Sequence, residues 1–297
     1  MTTQAEKARI FAGLHKPGEP VILFNAWDAG SAQAVAKAGA KAIATGSWSV
    51  AAAHGFADGE KLPLELALAN VERIVAAVSL PVTLDFESGY GRAPEAVAEA
   101  FGKAVKAGAI GFNFEDRIIG EEGLYSAEEQ AGRIRAARAA CEKQGVPAYI
   151  NARTDVFLKA RAEQHNLGLV EEALHRAVIY AEAGASGLFV PGLVDEKLIG
   201  KVCARSPMPV NVMYLPALPA KARLAELGVA RISYGPQPYR AAMEFLEKAA
   251  RGCLRRNTEG TGAQRARKRG QRKLRKTGRL EAGVTKGDKI FVWECLK

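Results

Sequence analysis

A (β/α)8 TIM-type barrel with parallel strands is the fold class that this chain predicts, and three observations predict it. Eight short apolar runs alternate with amphipathic helical stretches along the first 250 of its 297 residues, the pattern of parallel strands covered by helices. Helical stretches end repeatedly in Ala-Gly-Ala, at Ala38-Gly39-Ala40, Ala107-Gly108-Ala109 and Ala183-Gly184-Ala185, which puts glycine at the C-cap just before the next strand. No Gly-x-Gly-x-x-Gly turn follows the first strand, so an open, doubly wound, dinucleotide-binding sheet lacks its main sequence support.

Taken in order, the strands are Val21-Ile22-Leu23-Phe24, Ala42-Ile43-Ala44, Val82-Thr83-Leu84, Gly111-Phe112-Asn113-Phe114, Ala148-Tyr149-Ile150, Gly187-Leu188-Phe189-Val190, Val210-Asn211-Val212-Met213 and Arg231-Ile232-Ser233-Tyr234. Each is short and mostly apolar, as a strand covered by helices requires. The helices between them are Ala- and Glu-rich with apolar residues at helical spacing. Pro94 to Lys106 opens with a proline suited to a first turn, and Val170 to Ala183 continues the pattern.

The net charge of +10 is carried by the end of the chain. From Arg251 onward fifteen Lys and Arg stand against four acids, so residues 1 to 250 are near neutrality. We therefore divide the chain into a barrel over residues 1–250 and a basic tail over 251–297. Arg265-Ala266-Arg267-Lys268-Arg269 and Arg272-Lys273-Leu274-Arg275-Lys276 lack apolar periodicity, so a solvated, disordered tail is expected. Binding of RNA or an anionic surface is the alternative. Cys141, Cys203, Cys253 and Cys295 have neither disulfide nor zinc spacing. No apolar run follows Met1-Thr2-Thr3-Gln4 and no stretch approaches a membrane span; a cytoplasmic protein with no membrane partner is expected.

In a barrel, chemistry sits on the loops at the C-terminal ends of the strands. Those positions read Asn25, Trp27 and Asp28; Thr45, Gly46, Ser47 and Trp48; Asp85 and Glu87; Glu115 and Asp116; Asn151, Arg153 and Asp155; Pro191; Asn211; and Ser233. Two acidic stretches, Asp85-Phe86-Glu87-Ser88-Gly89-Tyr90-Gly91 and Phe114-Glu115-Asp116, place carboxylates side by side at the ends of neighbouring strands. Oxygen-rich sites with few protein ligands suit Mg²⁺, which keeps part of its water and shares its shell with an anionic substrate. The alternative reading is a set of strand-end caps and ion-pair partners. Arg153 enters the same mouth, where its fork of donors suits two-point binding of a substrate carboxylate; a lasting pair with Asp85, Glu115 or Asp155 is its alternative. Gly46 and Ser47 offer a small residue and a hydroxyl beside backbone N–H groups. Trp27 and Trp48 read as core or pocket walls, and Asp58 as a turn residue.

Gly46-Ser47-Trp48-Ser49 with Asp58, Asp85-x-Glu87-Ser88-Gly89-Tyr90-Gly91, Phe114-Glu115-Asp116 and Asn151-Ala152-Arg153-Thr154-Asp155 occur in that order. Together they resemble the isocitrate lyase and phosphoenolpyruvate mutase superfamily over about residues 8 to 250, including Phe189-Val190-Pro191-Gly192 and Arg231-Ile232-Ser233-Tyr234-Gly235-Pro236. The resemblance implies a Mg²⁺ held on a mostly water-bridged carboxylate cluster, here Asp85, Glu87 and Glu115 with Asp58. It implies a small 2-oxo or 2-hydroxy carboxylate on the metal, bound by Gly46, Ser47, Trp48, Arg153 and Asn211. It also implies a homodimer or homotetramer that exchanges the eighth helix, about Pro238 to Ala250.

Two departures from the family pattern shape the functional reading. Glu87 stands where the family has a second aspartate. The lyase branch carries Lys-Lys-Cys-Gly-His or Lys-Arg-Cys-Gly-His in the loop after the fourth strand, whereas Arg117-Ile118-Ile119-Gly120-Glu121-Glu122-Gly123-Leu124-Tyr125-Ser126 has no cysteine. Losing a proton-transfer group costs roughly 10² to 10⁴ in rate. The expected activity is therefore Mg²⁺-dependent carbon–carbon lysis or decarboxylation of a 2-oxo acid of the oxaloacetate type, with Arg153 and Asp58 in the chemistry and water or Tyr125 as proton donor. The alternatives are a methylisocitrate-like lyase, a phosphoenolpyruvate or phosphonopyruvate phosphorylmutase, and a 2-oxo-acid sensor without turnover.

Overall fold

The computed structural model describes the backbone of residues 2–274 and the side chains of residues 2–255. The strands are β1 (Val21–Leu23), β2 (Ile43–Ala44), β3 (Val82–Asp85), β4 (Gly111–Glu115), β5 (Tyr149–Arg153), β6 (Gly187–Phe189), β7 (Val210–Met213) and β8 (Arg231–Ser233). All eight coincide with the predicted runs. The helices are α1 (Gln4–Gly13), α2 (Ala29–Lys37), α3 (Ser47–Ala53), α4 (Leu64–Ala77), α5 (Pro94–Lys106), α6 (Ala127–Lys143), α7 (Val156–Lys159), α8 (Leu167–Glu182), α9 (Glu196–Arg205), α10 (Lys221–Glu226) and α11 (Gln237–Leu274).

Every strand pair is parallel, in the order β1-β8-β7-β6-β5-β4-β3-β2. The ring closes between β1 and β2 through a parallel bridge just beyond their ends, where Ala26 N donates to Ala44 O at 2.8 Å and Gly46 N to Ala26 O at 3.3 Å. Asn25 stitches this seam. Its Nδ2 donates to Thr45 O at 2.7 Å, and its Oδ1 accepts from Tyr234 N and Gly235 N at 2.9 Å each, so Asn25 closes the barrel.

The outward faces of β3 and β4 pack against α5 through Phe86, Phe101, Phe112 and Phe114, all fully buried, with ring centroids 4.6 to 5.7 Å apart. Such rings contribute by area and by edge-to-face geometry. Inside the barrel a polar layer replaces apolar packing. Asn113 Oδ1 accepts from Asn151 Nδ2 at 2.9 Å and from Arg231 Nη2 at 3.1 Å, and Arg231 Nε donates to Ser233 Oγ at 3.0 Å. Burial pushes the Arg231 guanidinium down to about 10. At the opposite end from the loops, α1 lays Phe11 and His15 against Tyr149, with the His15 and Tyr149 rings stacked at 4.0 Å.

Spatial contacts divide the chain into Met1–Ala242 and Met243–Lys297, and the barrel lies in the first unit. The backbone of α11 continues past Ala250 to Leu274, into the segment expected as a basic tail. No proline interrupts residues 239–274 and the segment is rich in Arg, Lys, Gln and Ala, good helix formers that propagate a started helix. The rest of the basic tail, 275–297, with Cys295, lies outside the described residues. Among the described residues no helix is long and apolar enough to cross a membrane.

Candidate active site

The turn that follows β3 is built from unusual backbone. Glu87 and Tyr90 adopt φ of 46° and 54°, and Glu60, on the loop between α3 and α4, adopts 56°. Left-handed conformations cost energy for residues with a Cβ and persist where the surroundings enforce them. Here the two loops enforce each other. Glu60 N donates to Glu87 Oε2 at 2.8 Å, and Tyr90 N donates to Glu60 Oε1 at 2.9 Å. Gly89, at φ 81°, passes so close to β4 that a Cβ there would lie 2.8 Å from Phe114 Cε2. The sequence places this turn at the mouth, and its hydrogen bonds fix where the Glu87 carboxylate points.

The carboxylates fall into two groups. Asp85 Oδ2 accepts both the backbone N–H and the hydroxyl of Ser47 at 2.9 Å, and its Oδ1 receives Asn113 Nδ2 at 3.3 Å. Glu115 Oε2 lies 2.7 Å from Arg153 Nη1, while Asp155 takes Arg153 Nε at 2.6 Å and Nη2 at 3.0 Å. Burial, with the charge of Asp58 next, pushes Glu87 up to about 8. Burial also raises Glu115 well above the carboxylate range, against the opposing charge of Arg153. For Arg153 burial disfavours the charge, but Glu115 and Asp155 more than offset it and the guanidinium stays protonated.

Whether these residues suit a divalent cation can be judged from their chemistry. Among the described residues no three of His, Cys, Asp and Glu gather tightly enough to ligate one ion directly. Burial raises Glu87, and the charges of Asp58 and Asp85 nearby add to the shift. A pocket of about 10 Å³, the size of one water, is lined by Ser47, Asp85, Glu87 and Tyr90 among others. Crowded carboxylates with little direct convergence fit a hard cation bound through one or two of them and through water, as Mg²⁺ is.

The loop after β4 forms a flap. Arg117 and Leu124 make an antiparallel bridge, and Tyr125 N donates to Asp116 O at 2.8 Å. Its base rests on buried Asp116, which accepts from Arg176 Nη1 at 3.0 Å, Tyr180 Oη at 2.9 Å and Asp155 N at 3.0 Å. Arg176 Nη1 also holds Tyr125 O at 2.8 Å. The Tyr125 ring stacks 4.0 Å from the Arg133 guanidinium.

The sequence profile of the phosphoenolpyruvate phosphomutase family matches residues 11–254. This chain belongs to the phosphoenolpyruvate mutase and isocitrate lyase superfamily. A solved structure of a candidate phosphonomutase from Burkholderia cenocepacia J2315 is 53% identical, covers 84% of this chain and 99% of its own, and superposes with a TM-score of 0.82. The 2-methylisocitrate lyase of Salmonella typhimurium is 28% identical over 79% of this chain and 84% of that one. The oxaloacetate decarboxylase of Pseudomonas syringae pv. tomato is 29% identical over 65% and 64%.

Within this superfamily fold the predicted site residues separate. Asp85, Glu115 and Arg153 stand at the mouth with Ser47 bonded to Asp85, and Asp58 is exposed on its loop near Glu87. The donors of Ser47 and most of those of Arg153 are engaged by protein carboxylates, where binding of a substrate was expected. Gly46 caps the N-terminus of α3, and Trp48 packs edge-on to Tyr239 with Arg240 over its face at 4.7 Å. Asn211 is buried and bonded to Ser233 Oγ at 3.2 Å. Cys141 and Cys203 sit in α6 and α9, burial pushing each thiol up to about 12, so neither replaces the missing loop cysteine. The sequence reading missed Glu60, Arg133, Arg176 and Tyr180, and it did not find the partners that bury Asp116. For Gln130 and Arg133 a signal existed: they lie on the same buried face of α6 as Ile134, Ala137 and Cys141, polar residues at core spacing.

Proposed function

We propose that this chain is a Mg²⁺-dependent carbon–carbon lyase or decarboxylase acting on a small 2-oxo acid of the oxaloacetate type. The reading is carried by the meeting of Asp85, Glu87 and Glu115 with Arg153 at one mouth, and by a loop after β4 that has no cysteine. When bound, the cation would withdraw electrons from a chelated 2-oxo carboxylate. Asp85 and Glu87 would hold it, with Ser47 orienting Asp85. The N–H groups of Arg153 not taken by Glu115 and Asp155 would receive a substrate carboxylate. For oxaloacetate the bond between carbons 3 and 4 breaks, its electron pair passes toward the 2-oxo oxygen, and carbon dioxide leaves. A proton then returns to carbon 3, giving pyruvate. Asp58 would hold the water that delivers it.

The experiment is pyruvate release from oxaloacetate by the purified protein with Mg²⁺, against no-protein, EDTA and Arg153→Ala controls. Saturable release that EDTA and Arg153→Ala abolish is the expected result; a rate equal to that of free Mg²⁺ overturns the reading. The 53% identical relative described as a candidate phosphonomutase favours phosphoryl transfer as the second reading. Phosphorus NMR of phosphonopyruvate and phosphoenolpyruvate with the same protein separates the two.

We also propose that the protein works as a homodimer or homotetramer. A groove of about 550 Å³ runs over β1 between α2 and the start of α10, lined by Pro20, Val21, Ile22, Phe24 and Val35 among others, where a barrel's eighth helix belongs. In the second unit Met243, Leu246 and Leu254 are exposed along one face of α11. Helix α11 of a second copy would cover the groove.

A further inference from the structure

Arg133 makes no ion pair with any of the mouth carboxylates, yet it touches the segments that carry and cover them. It lies on α6, only 2% exposed. Its Nη2 donates to Ser88 O, to Gly91 O at 2.9 Å and to Ser88 Oγ at 3.1 Å, all in the left-handed turn that sets Glu87. Its Nη1 donates to Gln130 Oε1, and Gln130 Nε2 donates to Glu115 O at 3.2 Å. Its guanidinium lies between the rings of Phe114, at 5.0 Å, and Tyr125, at 4.0 Å. Ser88 Oγ in turn donates to Arg117 O at 2.8 Å, the first residue of the flap. A buried guanidinium normally keeps a carboxylate partner; this one is spent on carbonyls of the turn and on the ring at the flap's root.

We propose that Arg133 is a positioning residue that locks the Glu87–Gly91 turn and the root of the Arg117–Tyr125 flap into one arrangement, so that cation binding at Asp85 and Glu87 and ordering of the flap rise and fall together. The cation half rests on the reading given under Proposed function; the flap half rests on the contacts alone. Groups that orient metal-binding side chains from behind commonly affect metal affinity by roughly 10- to 100-fold. The planar fork bonds two carbonyls and a hydroxyl at once and stacks on Tyr125, which a lysine ammonium cannot reproduce.

The test uses the full-length chain with Mn²⁺ as probe. Mn²⁺ affinity is read by electron paramagnetic resonance, and cleavage of the Arg117–Ile118 bond by trypsin is followed by mass spectrometry, with circular dichroism as the control for folding. Arg133→Met and Arg133→Lys are expected to weaken Mn²⁺ binding roughly tenfold or more and to speed flap cleavage in parallel. Methylguanidinium is expected to restore both in Arg133→Met. Tyr125→Leu, which removes only the stacking partner on the flap, is expected to move both readouts in the same direction and decides the matter if the Arg133 variants fail to fold. Folded variants with unchanged Mn²⁺ affinity and unchanged cleavage, or a drop in melting temperature alone, overturn the proposal. If the wild type binds no Mn²⁺, the cation reading falls, and the cleavage readout still decides whether Arg133 holds the flap.

Discussion

Glu115 and Arg153 face each other across β4 and β5 in register, their carboxylate and guanidinium 2.7 Å apart and both largely buried. Removing one member of such a pair leaves the other charge without compensation, which commonly costs about 3 kcal/mol or more. Arg153→Ala is therefore expected to lower the melting temperature as well as abolish metal-dependent turnover. Arg153→Lys should recover part of the stability but not the turnover, since a single ammonium cannot serve Glu115, Asp155 and a substrate carboxylate together. Calorimetry alongside the pyruvate assay checks both. Full activity in Arg153→Lys would show that the fork geometry is irrelevant.

Glu87 is held by the left-handed turn in a buried place beside Asp58 and Asp85, and burial first, then the charge of Asp58, pushes its carboxyl up to about 8, so keeping it there without a cation costs stability above the ordinary carboxylate range. Glu87→Gln keeps the shape and removes the titrating group. Without divalent cations this variant is expected to melt above the wild type. Addition of Mg²⁺ should then raise the wild type's melting temperature by linkage while leaving the variant unmoved. Equal Mg²⁺ responses in the two proteins would remove Glu87 from the cation site.

The strands and mouth carboxylates were legible because they depend on local pattern: short apolar runs, glycine C-caps, acids at strand ends. What was not legible depends on partners distant in sequence. Arg133 meets Ser88 and Gly91 more than forty residues away, and Asp116 meets Arg176 and Tyr180 sixty or more away. Charge density led the reading of the tail, whereas the helix propensity of Arg, Lys and Gln with no intervening proline accounts for the backbone of α11 as far as Leu274.

His15 links acid stability to the closed end of the barrel. Its Nδ1 lies 2.9 Å from Phe11 O and so carries the proton, its ring stacks on Tyr149, and burial, followed by the charge of Arg231, pushes it down to about 3. The unfolded chain protonates this histidine near pH 6.5, so between there and about 3 the unfolded state binds the extra proton. Stability is thus retained above pH 6.5 and lost as pH falls through that window, by up to roughly 1.4 kcal/mol per pH unit. Denaturant titrations from pH 7 to 4 should show a steeper loss in the wild type than in His15→Gln. Parallel curves would place the acid sensitivity elsewhere.

The groove over β1 and the exposed face of α11 make the last prediction. Met243, Leu246 and Leu254 are 36%, 59% and 67% exposed, and burying a side chain of that size contributes about 1.5 to 3 kcal/mol. Exposed apolar residues at helical spacing, in a chain whose barrel has an apolar groove in a helix's place, would be covered if copies associate. Light scattering on the full-length protein is expected to give a dimer or tetramer mass. Leu246→Glu should shift it toward the monomer and lower the melting temperature. Phe24→Glu, on the groove side at 45% exposure, should do the same; dissociation by Leu246→Glu with none by Phe24→Glu would mean that α11 finds its partner surface somewhere other than this groove.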